Sequence, residues 1–279
     1  MKQKIAFIAD FYANEILGGG ENNDANLITH LDNNHQVFCY KSDQVQITDL
    51  EDKDKVIVGN FVLLHPDIKR YLMATKEYII YEHDHKYVST RDPSKFPKFI
   101  IPAGHIVNAE FYQSAAAVVV LSKICKEVLQ NTISGVNAIS IGCSLWSPAK
   151  FNLLDTLAAT EKSKDLCIMY STNATKNYPF TVQYCEKNNL QYEAIQTQGH
   201  NEFLMEMANY KRFLFIPTVL ETFSRVCAEA KMMNLDVMTN KNKIGFFSED
   251  ISSLKGKALI EALKERNKTA LHTFQDLIC

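Results

Sequence analysis

Two glutamates eight positions apart, Glu221 and Glu229, have the spacing in this sequence that points most directly to chemistry. They lie where an apolar strand ends at Pro217 and an amphipathic helix follows. Glu221, at the entrance of that helix, is placed to reach a sugar. Glu229 lies about two turns further on and can accept two hydrogen bonds from vicinal hydroxyls, such as those of a ribose. The same two residues also fit an amphipathic helix that exposes two acids to solvent.

The residues Thr222, Phe223 and Ser224 open the same predicted helix, which spans 223–234. Thr222 and Ser224 are predicted to cap it, because hydroxyl side chains accept hydrogen bonds from the first N–H groups of a helix. The N–H groups at a helix start also attract anions. This segment therefore predicts a binding site for a diphosphate.

A second polar segment, from Ser171 and Thr172 to Lys176, directly follows a predicted strand at 166–170. Hydroxyls and a lysine at the carboxyl end of a strand can hold a diphosphate. Serine, threonine and asparagine are also ordinary turn residues. For the hydroxyls both interpretations stay open, whereas Lys176 favours binding.

Three consecutive glycines, 18–20, precede a predicted helix at 21–30. Gly19 and Gly20 allow the backbone to approach a ligand closely, and a helix start at this point favours an anion. A triple glycine without GxGxxG spacing is also common in flexible turns. The acidic Glu21 argues against a simple phosphate cradle.

The segment Glu-His-Asp-His directly follows a predicted buried strand at 78–81. Charged residues at the carboxyl end of such a strand lie at the mouth of a cleft. There His83 or His85 can hydrogen-bond a sugar hydroxyl or stabilise developing charge. A polar surface turn is the alternative. A metal cluster is disfavoured, because consecutive side chains cannot all point the same way.

The loop from 85 to 105 carries basic residues, including Lys86 and Arg91, interleaved with aromatic residues and three prolines. Basic and aromatic side chains together can grip a phosphorylated or nucleic-acid acceptor. His85, Lys86 and Arg91 are therefore candidate acceptor-binding residues. A solvated loop with a few aromatics packed into the core fits the same composition.

Short apolar runs alternate with amphipathic stretches along the chain, which predicts parallel, doubly wound sheets. The predicted strands are 5–8, 36–39, 56–58, 78–81, 117–121, 138–141, 166–170, 192–195, 213–216 and 236–239. The predicted helices are 21–30, 67–73, 123–131 (capped by Ser122), 178–187, 201–208, 223–234 and a C-terminal helix from about 254. The segment 142–160, which contains Gly, Pro and Ser, predicts a linker. We therefore expect two tandem Rossmann-like domains, 1–148 and 149–279, with ligands bound where their strand ends face each other.

The composition is that of an ordinary globular protein of 279 residues with a net charge of −2, so charge alone indicates neither nucleic acid nor an anionic membrane. The longest apolar block, 115–121, is too short to span a membrane, and the N-terminus does not resemble a signal peptide. Seven cysteines without a CxxC pair indicate free thiols in a reducing compartment. We expect a cytoplasmic protein without a metal site.

The segment P-x3-E-T-F-S-R-V-x2-E-A resembles the E-x7-E signature of retaining glycosyltransferases with the GT-B fold. The similarity is closest to the large family that contains sucrose synthase and many bacterial lipopolysaccharide transferases. The glycine loop, the histidine motif, Lys176 and the C-terminal helix occur in the order expected for that family. The resemblance implies a second domain that binds the nucleotide sugar and a first domain that binds the acceptor. It implies no metal and no tightly bound cofactor.

Carried over to this chain, the resemblance places Glu229 on the nucleotide ribose, Glu221 on the donor sugar and Lys176 on the diphosphate. His83 would lie beside the transferred sugar. Together with the turn after 166–170, the donor-binding group comprises Gly19, Gly20, Ser171, Thr172, Thr222, Phe223, Ser224 and Glu229.

The chain departs from the family pattern in three respects. It is short, and the usual Arg-plus-Lys pair after the first strand of the second domain is reduced to Lys176. His83 and His85 both fit the catalytic histidine. The compact size and the Asn-, Lys- and Ile-rich composition also resemble glycosyltransferases of large-genome phages, some of which modify hydroxymethylated bases in DNA.

The sequence thus predicts transfer of a hexose or pentose from a nucleoside diphosphate sugar to a hydroxyl, with retention at the anomeric carbon. The acceptor is a glycan, a small molecule or modified DNA. No pair of carboxylates stands out as acid and nucleophile, in contrast to glycoside hydrolases. The alternatives are an epimerase or phosphorylase on the same fold, or a non-catalytic protein that binds nucleotide sugars. A Rossmann dehydrogenase or methyltransferase fits less well, since GxGxxG is absent after the first strand.

Overall fold

The computed structural model describes residues 2–16, 18–196 and 199–279. Within them, strands alternate with helices and form two separate parallel sheets. The chain divides into two compact units, Met1–Trp146 with Arg266–Cys279, and Ser147–Glu265. The prediction of two Rossmann-like α/β units with a C-terminal helix is confirmed.

The sheet of the first unit has six parallel strands in the order β2-β1-β3-β4-β5-β6. They are β1 (Lys4–Ala9), β2 (Gln36–Lys41), β3 (Lys55–Val58), β4 (Tyr78–Glu82), β5 (Ala117–Val120) and β6 (Ala138–Ser140). The inner strands are almost wholly buried, which explains why they appear in the sequence as continuous apolar runs. The edge strand β2 is only half-buried.

In the part of the unit that the structure describes, five α-helices connect these strands. They are α1 (Gly19–Leu31), α2 (Ile47–Leu50), α3 (Pro66–Thr75), α4 (Ala109–Gln113) and α5 (Lys123–Thr132). The sequence did not predict the short helices α2 and α4, because one turn is too short to show a period of 3.6 residues.

The second unit has four parallel strands in the order β10-β9-β7-β8. They are β7 (Lys164–Met169), β8 (Glu193–Ile195), β9 (Tyr210–Leu214) and β10 (Asp236–Met238). Its helices are α6 (Pro148–Ala158), α7 (Tyr178–Lys187), α8 (His200–Met207) and α9 (Arg225–Met232). The last helix, α10 (Gly256–Ile278), enters the first unit at Arg266, and there the Phe274 ring packs edge-on against Tyr81 at 4.8 Å.

In both sheets, the order in which strands are added along the sheet reverses after the second strand of the unit. The chain passes from the first strand of each unit to a neighbour on one side, and then crosses to the other side. Ligands of such sheets bind outside the carboxyl ends of the strands at this reversal. It lies between β1 and β3 in the first unit, and between β7 and β9 in the second.

The predicted linker over 142–160 is wrong for most of its length, because Pro148–Ala158 forms α6. Ser147 Oγ accepts a hydrogen bond from Lys150 N at 3.2 Å and caps this helix. Proline suits the first helical position, because an N–H group there would have no acceptor within the helix. The Ser-Pro pair therefore marks a helix start here.

Two further local predictions are also wrong. Ser122 precedes α5, but its side chain makes no cap hydrogen bond. Strand β9 begins three residues before the predicted start at 213. The polar residues Lys211 and Arg212 interrupt the apolar run, so the first half of β9 was not recognised as a strand. Arg212 forms an ion pair with Asp165 on the neighbouring β7.

Candidate functional site

In the second unit, the loops after β7 and β9 are tied together at the reversal of strand order. Thr218 N donates a hydrogen bond to Thr175 O at 3.0 Å. Asn177 Nδ2 donates to Ile216 O, also at 3.0 Å. The two segments that the sequence marked for donor binding therefore lie side by side.

These loops bring Lys176 and Glu221 into an ion pair, with Nζ 2.7 Å from Oε1. The Lys176 ammonium lies 5.7 Å from the centre of the Phe215 ring. The backbone of Glu221 is held from both sides, since its N–H donates to Lys243 O and its carbonyl accepts from Gly245 N. A fixed carboxylate beside a half-exposed ammonium can bind a sugar hydroxyl and a phosphate next to each other.

Ser171 and Thr172 open the loop that carries Lys176. Ser171 Oγ accepts from Asn173 N at 3.1 Å, and Asn173 Oδ1 accepts from Thr175 N at 2.9 Å. These contacts are those of an ordinary turn. They use an oxygen lone pair of Ser171, so its O–H remains a donor for a ligand.

Helix α9 begins at Arg225, and the predicted cap at Ser224 is wrong. Ser224 is the residue before the helix, but its side chain makes no cap hydrogen bond, and Thr222 lies outside the helix. Ser224 has a φ of +68°, a left-handed conformation that costs a serine about 1 kcal/mol or more and is frequent at binding sites. The Ser224 hydroxyl therefore does not offset the partial positive charge of the first turn.

Phe223 points into the protein. Its ring meets the Phe246 ring edge-on at 5.5 Å, and its carbonyl accepts from Phe246 N at 2.9 Å. The side chain is buried. Phe223 therefore anchors the turn before α9, and only its backbone is in a position to meet a ligand.

Glu229 lies in a charged cluster that the sequence analysis missed. Its side chain is 0% exposed, and His200 Nε2 lies 3.1 Å from each of its two oxygens. Arg225 Nε lies 3.8 Å from Glu229 Oε1. A histidine at the first position of a helix, directly after Gly199, is the signal in the sequence that could have identified His200.

In the first unit, Gly20 and His83 lie against each other. A Cβ atom at Gly20 would come within 3.3 Å of the His83 ring. His83 Nε2 lies 2.7 Å from Asp24 Oδ1, and both side chains are buried. The sequence analysis missed Asp24, which lies 59 positions before His83 on α1. Gly19 is exposed at the start of the same helix.

Gly59, at the carboxyl end of β3, leaves room for this pair. A Cβ atom there would lie 2.8 Å from Asp24 Oδ2, which is closer than such atoms approach. Glycines at two positions thus flank the imidazole–carboxylate pair. Gly59 and His83 directly follow β3 and β4, and Asp24 lies on α1, which follows β1, at the edge of the sheet whose strand order reverses between β1 and β3.

Lys86 and Arg91, predicted to bind an acceptor, are engaged within the protein. Lys86 is buried, with Nζ 2.9 Å from Glu82 Oε1 and 2.7 Å from Asp84 Oδ1. Tyr112 donates to the other oxygen of Glu82, and Arg91 pairs with Asp84. Burial raises the pKa of Glu82, but the charge of Lys86 and the Tyr112 hydrogen bond outweigh it and lower that pKa.

His85 is buried and has a left-handed backbone with a φ of +58°. Its Nδ1 lies 3.0 Å from the hydroxyl oxygen of Tyr87, which is itself buried. His83 rather than His85 therefore lies against the glycines at the start of α1.

The rest of the loop from 85 to 105 mixes buried and exposed groups. Lys95 and Lys98 are exposed, as is the side chain of Ile100, whereas Phe96 packs against His105 with ring centres 4.9 Å apart. The loop contains both of the features weighed from its sequence, aromatics packed inside and cations in solvent.

No group of three or more His, Cys, Asp or Glu is arranged to hold a metal ion in the described part of the chain. The seven cysteines form no disulfide within the described residues, and five of them are buried. Among residues 2–16, 18–196 and 199–279, no helix is both long and apolar enough to cross a membrane.

The following solved structures have an architecture similar to that of this chain. HepE of Anabaena, in complex with UDP and glucose, matches with a TM-score of 0.56 and 12% identity, covering 98% of this chain and 100% of that one. An α-glucosyltransferase in complex with UDP and a 13-mer DNA with a central A:G mismatch matches with a TM-score of 0.54 and 11% identity, covering 97% and 90%. The chain has the GT-B fold. No protein-family model and no curated protein matches it by sequence.

Proposed function

We propose that the protein is a retaining glycosyltransferase that moves a sugar from a nucleoside diphosphate sugar to an acceptor hydroxyl. The observation that carries the proposal is the Lys176–Glu221 ion pair beside the start of α9, at the strand reversal of the second unit. A cation, a helix start and a fixed carboxylate match the diphosphate and the sugar of one donor. Both neighbouring structures hold UDP, so UDP-glucose is the first donor to test.

In the proposed reaction, the bond from the anomeric carbon to the diphosphate oxygen breaks, and a bond to the acceptor oxygen forms on the same face. The departing phosphate takes the acceptor proton. Lys176 and the first N–H groups of α9 stabilise the negative charge that develops on the diphosphate. Glu221 holds the sugar, and the surroundings of Glu229 take the nucleoside end. The hydroxyls of Ser171 and Thr172 and the backbone amides of Thr222, Phe223 and Ser224 complete the donor site.

The first unit is assigned to the acceptor, with His83 beside the transferred sugar. The Asp24 carboxylate fixes the orientation of the imidazole through Nε2. Gly20 lies against the His83 ring, where a Cβ atom would come within 3.3 Å, and Gly19 is exposed at the start of α1. An oriented imidazole can hydrogen-bond a sugar hydroxyl in the transition state.

Hydroxymethylated DNA is the second candidate for the acceptor. One neighbour is an α-glucosyltransferase solved with DNA that contains an HMU base, with a TM-score of 0.50 and 11% identity, covering 97% of this chain and 92% of that one. In this chain, Lys95 and Lys98 are exposed on the loop after β4 and can contact phosphates. Label transfer from UDP-glucose to hydroxymethylcytosine DNA tests this idea. The wild type and a Lys95→Glu/Lys98→Glu variant are compared. If both transfer label to simple sugars and neither transfers it to DNA, the DNA-acceptor proposal is rejected.

The proposed function is tested by thermal-shift measurements with UDP-, GDP-, ADP- and CMP-sugars. We expect stabilisation by one nucleoside diphosphate series, since binding to the folded state raises the melting temperature. An unchanged melting temperature with all of these sugars would contradict the proposal. Stabilisation with interconversion of the sugar in the absence of an acceptor would indicate an epimerase, and a requirement for phosphate would indicate a phosphorylase. Binding without turnover would indicate a non-catalytic protein.

A further inference from the structure

The turn after β3 presents two aliphatic side chains to solvent. It spans 61–64, and Leu64 N donates to Phe61 O at 3.3 Å. The outer residues Phe61 and Leu64 are buried, whereas Val62 and Leu63 between them are 49% and 48% exposed. The central positions of turns are usually occupied by glycine, proline, asparagine, aspartate or serine. The turn itself therefore does not require two aliphatic side chains at its tip.

A buried carboxylate holds this turn in place. Asp10, directly after β1, accepts a hydrogen bond from Val62 N at 2.9 Å and from Leu63 N at 3.0 Å. Ser42, which follows β2, donates its hydroxyl hydrogen to the same carboxylate. Because Asp10 is buried, these hydrogen bonds are shielded from water and hold the backbone firmly. A surface that is already fixed loses little conformational freedom when a ligand packs on it.

The same connection begins at the Asp24–His83 pair. Gly59 lies against Asp24, and Val62 follows Gly59 by three positions. Three residues of extended chain span about 11 Å at most, so the tip of the turn lies within that distance of Gly59. An acceptor whose hydroxyl lies beside His83 can therefore reach the tip with another part of the same molecule.

The exposed apolar side chains of the first unit are concentrated in such connections. Among the residues that the structure describes, the large apolar side chains exposed in this unit all lie in the connections that follow β1, β2, β3 and β4, namely Ile16, Ile47, Val62, Leu63, Ile100 and Val107. These connections start from the carboxyl edge of the sheet, to which the acceptor is assigned. Single apolar residues scattered over a surface are ordinary, whereas their concentration indicates a binding surface.

The charges around the turn favour an uncharged ligand. The carboxylate of Asp10 lies directly behind the tip, and that of Asp24 lies beside Gly59 at the start of the connection. Carboxylates at these two places repel the phosphates of a polyanion. An aliphatic group, by contrast, removes the side chains of Val62 and Leu63 from water.

We infer that the acceptor carries an aliphatic part, which packs on Val62 and Leu63 while the acceptor hydroxyl lies beside His83. Asp10 is a positioning residue that holds the two side chains at the tip of the turn. This inference rests on the proposed function and names the class of acceptor for the same site, a hydroxyl compound with a hydrocarbon chain.

The test compares octyl β-D-glucoside, below its micelle concentration, with methyl β-D-glucoside as ligands of the full chain. Kd is measured by calorimetry with and without saturating UDP. We expect the octyl compound to bind at least about tenfold more tightly, since burial of two of its methylene groups suffices for that factor.

Two double variants locate the preference. Val62→Ser/Leu63→Ser should bind both glucosides equally, with an unchanged Kd for UDP and an unchanged melting temperature, because both side chains are exposed. Phe180→Ser/Met205→Ser, which removes two exposed apolar side chains of the second unit, is the matched control and should keep the preference.

Asp10→Asn tests the positioning role. The amide keeps the shape of the side chain, but only its oxygen accepts, so one of the two N–H groups at the tip loses its partner. The ratio of the two glucoside Kd values should fall toward one, while the Kd of UDP stays the same. A lower melting temperature with an unchanged ratio would show that Asp10 only supports the fold.

The outcomes separate the inference from the function on which it rests. Equal Kd values for the two glucosides in the wild type overturn the inference, as does a preference that survives in Val62→Ser/Leu63→Ser. Sedimentation of the wild type but not of this variant with phosphatidylcholine vesicles, without an octyl preference, would assign the tip to a bilayer surface and also overturn it. A wild type that keeps the octyl preference but binds no nucleoside diphosphate overturns the proposed function instead.

Discussion

Lys176 and Glu221 meet across two loops, with Nζ 2.7 Å from Oε1, although 45 positions separate them in the chain. Each residue follows one of the two strands that flank the reversal in the second sheet. In the absence of a donor, the two charges satisfy each other. In the proposed reaction, a diphosphate that approaches Lys176 would compete with Glu221 for the ammonium, and the released carboxylate would then be adjacent to the sugar.

Replacement of Lys176 by alanine should slow the transfer. The ammonium is the side-chain cation assigned to the departing diphosphate, and loss of one such group lowers turnover by about 100-fold. Turnover is measured with saturating UDP-glucose, and Lys187→Ala, at an exposed site on α7, is the control for loss of charge. Wild-type turnover in Lys176→Ala would remove Lys176 from the mechanism.

Replacement of Glu221 by alanine should separate sugar binding from nucleotide binding. Because Glu221 is assigned to the sugar, the variant should lose affinity for UDP-glucose about tenfold while it binds UDP as well as the wild type or better. The improvement would come from Lys176, which no longer pairs with a carboxylate. Equal losses for both ligands, measured by calorimetry, would show that Glu221 only supports the fold of the loop.

The Asp24–His83 pair predicts a loss of turnover without a loss of donor binding. Asp24→Asn keeps the shape of the side chain but removes the charge that holds the imidazole, and we expect kcat to fall by about 10- to 100-fold. The Kd of UDP should not change, because Asp24 belongs to the first unit. Asp43→Asn, at an exposed site in the same unit, is the control. Unchanged kcat would leave the pair a purely structural role.

A substitution at Gly59 tests the Asp24–His83 pair in a second way. In Gly59→Ala, the new Cβ would lie 2.8 Å from Asp24 Oδ2, so the carboxylate must shift away from His83. We expect kcat to fall as in Asp24→Asn, with UDP binding retained. Gly104→Ala is the matched control, because no atom lies within 4 Å of the position its Cβ would take. Full activity in Gly59→Ala would show that the pair tolerates displacement.

The buried Glu82–Lys86 pair predicts how stability depends on pH. Burial raises the pKa of Glu82, but Lys86 and Tyr112 lower it below the ordinary value of 4.5. A carboxyl with a lower pKa in the folded state stabilises the protein at neutral pH. That contribution is lost as the pH falls from about 4.5 through the lower folded-state value.

Urea unfolding between pH 7 and pH 3 measures this effect. Glu82→Gln leaves Lys86 with Asp84 alone and should lower the free energy of unfolding at neutral pH by about 3 kcal/mol. The difference between the variant and the wild type should shrink in acid. Glu186→Gln, at an exposed site, should show neither change. A difference that stays constant down to pH 3 would mean that Glu82 is already neutral in the folded protein.

The sequence was sufficient for the features that depend on local pattern. Apolar runs such as Ala117–Val120 mark buried parallel strands, because both faces of such a strand are covered. The same logic made Lys176 and Glu221 candidates, since polar residues in the loops after buried strands lie at the edge where ligands of such sheets bind. Local pattern gave a wrong prediction where the same residue types occur in two kinds of structure. Ser147 and Pro148 have the composition of a linker, yet they begin a helix.

Pairings between distant positions depended on the tertiary structure. Asp24 meets His83 only because the sheet order places α1, β3 and β4 beside one another, and no periodicity along the chain records that order. His200 meets Glu229 because α8 and α9 begin side by side. Hydrogen bonds and ion pairs act over about 3 Å, whereas sequence patterns report only which face of an element is buried. The sequence alone therefore determined the fold class and the strand ends that carry the candidate site. The structure decided which charges pair there, and so which side chain of each pair is left to meet a ligand.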